Sequence, residues 1–266
     1  MSLSEYRTFL RDMMTLQLRY ACCVMQRENI SLTEALCDHT ELYSYCDFYN
    51  PSLAPMADEC FVRLAHELDQ LRQESDEATF AAHAWRQMVP HLEPRIEKDL
   101  AAAQTVIAQS FHGFTYELVP EYFGADKPLY LTLHFRNDFG PDSPFNHRPT
   151  LIRGLMNLLQ EVQANHPTID QVQCATWMNH LHAFTSLFPA EWTARSNDCP
   201  YEPNAGWWGQ FIDRRGQVHP RRAAILLSRG TFPYTNRHCR CSLNAWREHL
   251  ANLAVSSPVS KVNDVE

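Results

Sequence analysis

Leu129-Tyr130-Leu131-Thr132-Leu133-His134-Phe135 sets leucine and phenylalanine against tyrosine, threonine and histidine at a period of two. That is the pattern of a strand with one apolar and one polar face. A loop rich in Gly, Pro, Asp and Asn follows over 137–148, then an amphipathic helix over 149–165. A second β-rich run over 172–178 ends abruptly in Asn179-His180-Leu181-His182. Strand, loop, helix and strand in that order predict a βαβ unit with parallel strands. Ligands collect beyond the carboxyl ends of such strands. The chain carries His134, Arg136, Asn137, His180 and His182 there.

Upstream, the first third reads as helical. Tyr6, Phe9, Leu10, Met13, Met14, Leu16, Leu18, Tyr20 and Ala21 recur at helical spacing. Ser31-Leu-Thr-Glu34 is a capping box that opens a helix through Leu42 and Tyr43, and the prolines at 51 and 55 break it. Helical patterns resume over 57–73, 77–89 and 94–110. From Phe114, Tyr116 and Leu118 the period becomes that of a strand, which puts a boundary near residue 110. The domains expected are a helical part (1–110), an α/β part (111–256) and a flexible tail (257–266). Within the second, a loop over 197–206 leads to a third strand at 207–212 turned by 213–216. Helices follow over 220–228, stopped by Gly230, and over 244–254. The fold class is therefore α/β, a helical N-terminal part packed on a small mixed sheet with flanking helices.

A chain of 266 residues with 45% hydrophobic and 20% charged residues is long enough for a substantial core. Its net charge of −8 argues against nucleic acid, which requires clustered Lys and Arg. The short basic cluster Arg214-Arg215 and Arg221-Arg222 reads as a solvated turn and helix start. There is no basic leader before an apolar run and no span of ~18 apolar residues. With nine cysteines in no regular framework, the expectation is a cytoplasmic protein with reduced thiols and no membrane partner. The expected partners are a small-molecule substrate and, in a homodimer, a second copy of the chain.

His134, His180 and His182 are the first candidates for chemistry. Three imidazoles at neighbouring strand ends suit a general base, or ligands for zinc or iron. No metal is expected at His238-Cys239-Arg240-Cys241, where the spacing is too short and no second pair follows. Cys174 reads as a buried structural thiol, and Ser143 lacks the nucleophile elbow of hydrolases. Trp177, Phe184, Phe188, Trp192, Trp207, Trp208 and Phe211 read as core beneath the sheet.

Several phrases occur together: His112-Gly-Phe114, Leu133-His134-Phe135-x-Asn137, Pro141-x-Ser143, Thr176-Trp177-Met-Asn179, Leu187-Phe188-Pro189 and Trp208-Gly-Gln-Phe211. Over roughly 110–215 the chain resembles a group of uncharacterised bacterial proteins sharing this order. More loosely it resembles two-part GNAT-like acyltransferases, whose core is a strand, a pyrophosphate-binding loop and helix, then a second, splayed strand. That likeness implies acyl transfer from a thioester, acyl-coenzyme A, to an amine or hydroxylamine. It implies His134 or His180 as base and Tyr130 or Tyr116 as the acid for the leaving thiolate. Asn137, Ser143, Arg148 and Arg153 would hold the donor, and Tyr116, Trp177, Asn179, His182 and Trp208 the acceptor. The loop departs from the GNAT pattern: it has one glycine, Gly140, and two acids, Asp138 and Asp142. The alternatives are a metal-dependent enzyme using the three histidines and a binding or scaffold protein without chemistry.

Overall fold

Ser2 and Ser31 open their helices by the same device. Each hydroxyl accepts from the backbone N–H three residues on, and Glu5 or Glu34 reaches back to the serine N–H. The first helix, α1, spans Leu3–Glu28 and the second, α2, Leu32–His39. α2 is shorter than its pattern predicts. Thr40 is extended, its hydroxyl donates back to the Leu36 carbonyl, and residues Leu42–Tyr45 form a separate 3-10 turn. Asp58 caps α3 (Glu59–Glu74) by accepting from Cys60 and Phe61 N–H. Where the sequence predicts two helices, α4 (Glu77–Ala108) runs unbroken through Pro90 and Pro94. Phe80, Ala84, Met88, Leu92 and Ile96 are all buried, so one apolar stripe stays in register across both prolines.

The computed structural model describes residues 2–108, 110–120, 129–199 and 205–256; the tail at 257–266 and residues 200–204 of the loop at 197–206 lie outside the described residues. The chain divides into two compact units, 1–105 with 200–235 and 106–199 with 236–266. The segment at 205–235, read from sequence as part of the α/β half, therefore belongs to the helical unit. The strand expected at 207–212 is instead helix and 3-10 turn: α8 covers Ala205–Trp208, and the turn Gly209–Phe211. The reason is Gln210, fully buried, whose amide bonds the Trp207 carbonyl and both backbone groups of Tyr234 at 3.1 Å each. A side chain thus supplies what a neighbouring strand would have. Trp208 and Phe211 pack with Tyr20 and Phe232, and α9 (Pro220–Arg229), ended by left-handed Gly230, adds Leu226 to the same core.

In the other unit the βαβ prediction holds. β1 (Phe114–Pro120) and β2 (Leu129–Phe135) are antiparallel; α5 (Arg148–Asn165) then carries the chain to β3 (Gln171–Thr176), parallel to β2. A 3-10 turn at Trp177–His180 and the short helices α6 (His182–Thr185) and α7 (Ala190–Ala194) follow. β4 (Asn197–Asp198) and β5 (Arg237–Ser242) complete a mixed sheet ordered β1-β2-β3-β5-β4, and α10 (Leu243–Ser256) closes the unit. Leu131, Leu133, Val172, Cys174, Cys239 and Cys241 form one buried cluster with Leu155 of α5 and Trp246 of α10. The aromatic group is accordingly split: Phe184, Phe188 and Trp192 lie in this core, Trp208 and Phe211 in the helical one. Among the described residues no helix is long and apolar enough to cross a membrane.

Candidate functional site

Strand alternation that buries Leu131, Val172 and Cys239 on one face puts the polar residues on the other. The register sets Thr132 beside Gln173, Gln173 beside Arg240, and Ala175 beside His238. The Gln173 amide nitrogen donates to the Thr132 hydroxyl at 3.0 Å, and its oxygen meets His238 Nε2 at 3.0 Å. An amide oxygen only accepts, so His238 holds a proton on Nε2. Thr132 and Gln173 are 1% and 0% exposed, and this polar chain crosses three strands. At the upper end of β2, His134 Nε2 lies 3.1 Å from Glu117 Oε1 on β1. Both side chains are half exposed.

The parallel pair is short. β2 and β3 are joined only at Leu131–Val172 and Thr132–Gln173, whereas β1 stays paired with β2 to Phe135 and β5 with β3 to Thr176. Leu133–Phe135 and Cys174–Thr176 thus run on without pairing to each other, and the sheet opens at its carboxyl end. His134 stands on one lip of the opening. Continuing the register would bring Ala175, with only a methyl group, beside it.

No family model, curated protein or solved structure matches the chain.

Several residues nominated from sequence make hydrogen bonds within the fold. Asn137 accepts from Phe139 N–H and donates to the Asp142 carbonyl, both at 3.0 Å, tying its own loop. Arg136 is paired with Asp138 at 2.9 Å, and Arg148 clamps the Ser186 hydroxyl and carbonyl at 2.8 and 2.9 Å. Ser143 precedes a 3-10 turn without capping it through its side chain. Arg153 is exposed one turn into α5, bonded to the neutral Thr150 hydroxyl.

Asn179 is buried, donates to the Cys174 and Arg237 carbonyls and accepts from the Trp192 indole. Both its donors and its oxygen serve the core. Tyr130 shares the face of His134 but sits four residues away, ~13 Å along the strand, and is buried. Tyr116 pairs with Leu133 and so faces the other way, donating to Glu161 on α5 at 3.0 Å. Burial and that carboxylate raise its phenol above the ordinary range. Neither tyrosine joins His134 in one reaction centre.

His180 and His182 do not share an extended segment, because Thr176 caps the 3-10 turn that ends in His180 and His182 begins α6. Trp177 is half-buried in that same turn. Trp208 belongs to the core of the helical unit. Among the described residues no three His, Cys, Asp or Glu side chains converge on a metal site, so the histidine triad is not assembled. Sequence reading missed Glu117, Gln173 and His238. The alternation of polar and cysteine residues in Arg237-His-Cys-Arg-Cys-Ser242 was the signal for β5 and for His238.

Proposed function

We propose that this chain is a GNAT-like acyltransferase, moving an acyl group from a thioester to a small amine or hydroxylamine. The observation that carries the reading is the opening between β2 and β3 inside a strand–loop–helix–strand unit, with a histidine–carboxylate pair on its lip. Backbone groups on the two diverging strands suit an extended, amide-bearing arm, which would add to the sheet as a peptide strand does. The loop at 136–147 fits the phosphates of coenzyme A less well: Arg136 and Asn137 are engaged and two acids flank them. Arg153 is the cation left exposed near the start of α5. Acyl-coenzyme A is the donor implied by the resemblance, and it would supply an acyl carbon activated by a thiolate leaving group.

On this reading His134 accepts the acceptor's N–H or O–H proton at Nδ1 as the new bond to the acyl carbon forms. Glu117, held at Nε2, stabilises the imidazolium. The same imidazolium returns its proton to the departing sulfur, a role that neither Tyr130 nor Tyr116 is positioned to take. The test is release of free thiol from acetyl-coenzyme A with a panel of amines, alongside melting curves. A ligand at ~100-fold excess over Kd stabilises by about 2.7 kcal/mol. His134→Ala should lower turnover by about 100-fold or more without lowering the melting temperature. Glu117→Gln should shift the pH profile of the remaining activity. No thiol release and no stabilisation by acetyl-coenzyme A would refute the proposal in favour of a binding protein.

A further inference from the structure

The basic cluster at 214–222 has no part in that chemistry, yet two of its arginines line one depression. A depression of about 330 Å3 in the helical unit is lined by His219, Arg221, Arg222, Ile225, Pro233 and Tyr234. Its volume lies at the lower end of the range for small-molecule sites. Within 205–235, Arg214, Arg215, Arg221, Arg222 and Arg229 face one acid, Asp213, in a chain whose net charge is −8. Asp213 is spent on the turn, its carboxylate accepting from Arg215 and Gln217 N–H.

Local bonding orients the cations. His219 Nδ1 accepts from Arg222 N–H at 3.4 Å, so the neutral ring keeps its proton on Nε2, a donor. Arg222 donates to the Gln210 carbonyl, a neutral group, and its guanidinium lies 5.5 Å from the centre of the Tyr234 ring. These two contacts hold the guanidinium in place. Arg221 is exposed on the first turn of α9. At the helix end Pro220 has no N–H, and those of Arg222 and Ala223 go to His219.

We propose that this depression is a binding site for a small phosphate monoester, the phosphate meeting His219, Arg221 and Arg222 and an apolar body lying against Ile225, Pro233 and Tyr234. Guanidinium groups match the geometry of phosphate oxygens, and the apolar wall distinguishes a monoester from the bare ion. Calorimetric titration with phenyl phosphate tests this, with inorganic phosphate and phenol as controls. Saturable binding is expected, several-fold tighter than inorganic phosphate, with none for phenol. Arg221→Gln, at an exposed position, should weaken it at least tenfold with the melting temperature kept. His219→Asn retains a capping oxygen and should weaken it several-fold. Equal affinity in wild type and Arg221→Gln, or no saturable binding, would overturn the site. Tight binding of a single-stranded oligonucleotide without response to phenyl phosphate would overturn it too. His134→Ala should bind phenyl phosphate normally, so failure here and failure of the acyl-transfer reading are separate results.

Discussion

Replacing Glu41 with glutamine should make the protein more stable in alkaline solution and leave it unchanged in acid. Glu41 sits between α2 and the 3-10 turn at Leu42–Tyr45, its N–H donating to Gln17 Oε1 at 2.6 Å and its carboxylate accepting from Ser44 at 3.1 Å. Burial outweighs the serine bond and pushes the carboxyl up from 4.5 to about 7. The folded state therefore holds this proton more tightly than the unfolded chain does. The stability it contributes is complete below pH 4.5 and lost as pH rises through about 7. At about 1.4 kcal/mol per pH unit, that gap amounts to about 3 kcal/mol. Glutamine matches the size, keeps an acceptor for Ser44 and has nothing to ionise. Urea unfolding of both proteins from pH 4 to 8.5 measures the difference, in which the titration of shared histidines cancels. The curves should meet at acid pH and separate by about 3 kcal/mol at pH 8.5, glutamine the more stable. A constant offset across the range would refute the argument.

Gly154→Ala should destabilise the sheet unit although alanine is the better helix former. A Cβ there would lie 2.5 Å from the Phe111 carbonyl oxygen and 3.1 Å from the His112 ring. Overpacking of about 1–3 kcal/mol exceeds the propensity gain of about 1, and a rise in melting temperature would contradict it. Asn179→Ala strands two carbonyls and the Trp192 indole and should cost about 3 kcal/mol in urea unfolding. A loss below about 1 kcal/mol would return Asn179 to the list of ligand-binding candidates. Native iodoacetamide labelling, mapped by mass spectrometry, should modify exposed Cys60 well before Cys174, Cys239 and Cys241, which are buried with thiols raised by desolvation. Labelling of Cys174 as fast as Cys60 would show the core to be open.

The β2–α5–β3 unit was legible because leucines in strict alternation admit one structure, and a long amphipathic run admits another. The mixed, α/β character followed from that. β5 was obscure because its apolar positions are cysteines, and a Cys-x-Cys pair invites a metal reading before a strand reading. The run at 207–212 misled for the opposite reason: aromatic residues favour strands, but the bonds made by Gln210 are decided by tertiary position. Site residues were harder still. Asn137, Arg148 and Asn179 have the chemistry of ligand binders, but in the folded chain their donors go to the chain itself. Glu117 reaches His134 across a diagonal of the β1–β2 ladder, a relation set by register that neither residue announces.

The return of residues 205–235 to the first core bears on how the protein is made. Tyr20 leaves the ribosome first, and Trp208 and Phe232, which pack on it, follow about two hundred residues later. At 5–20 residues per second that delay is on the order of ten seconds or more. Through that interval the nascent α1–α4 helices present leucine and methionine faces with their filling not yet translated. Synthesis in a cell-free system with and without added chaperones would expose that dependence, and ribosome-stalled chains ending before residue 205 should remain protease-sensitive.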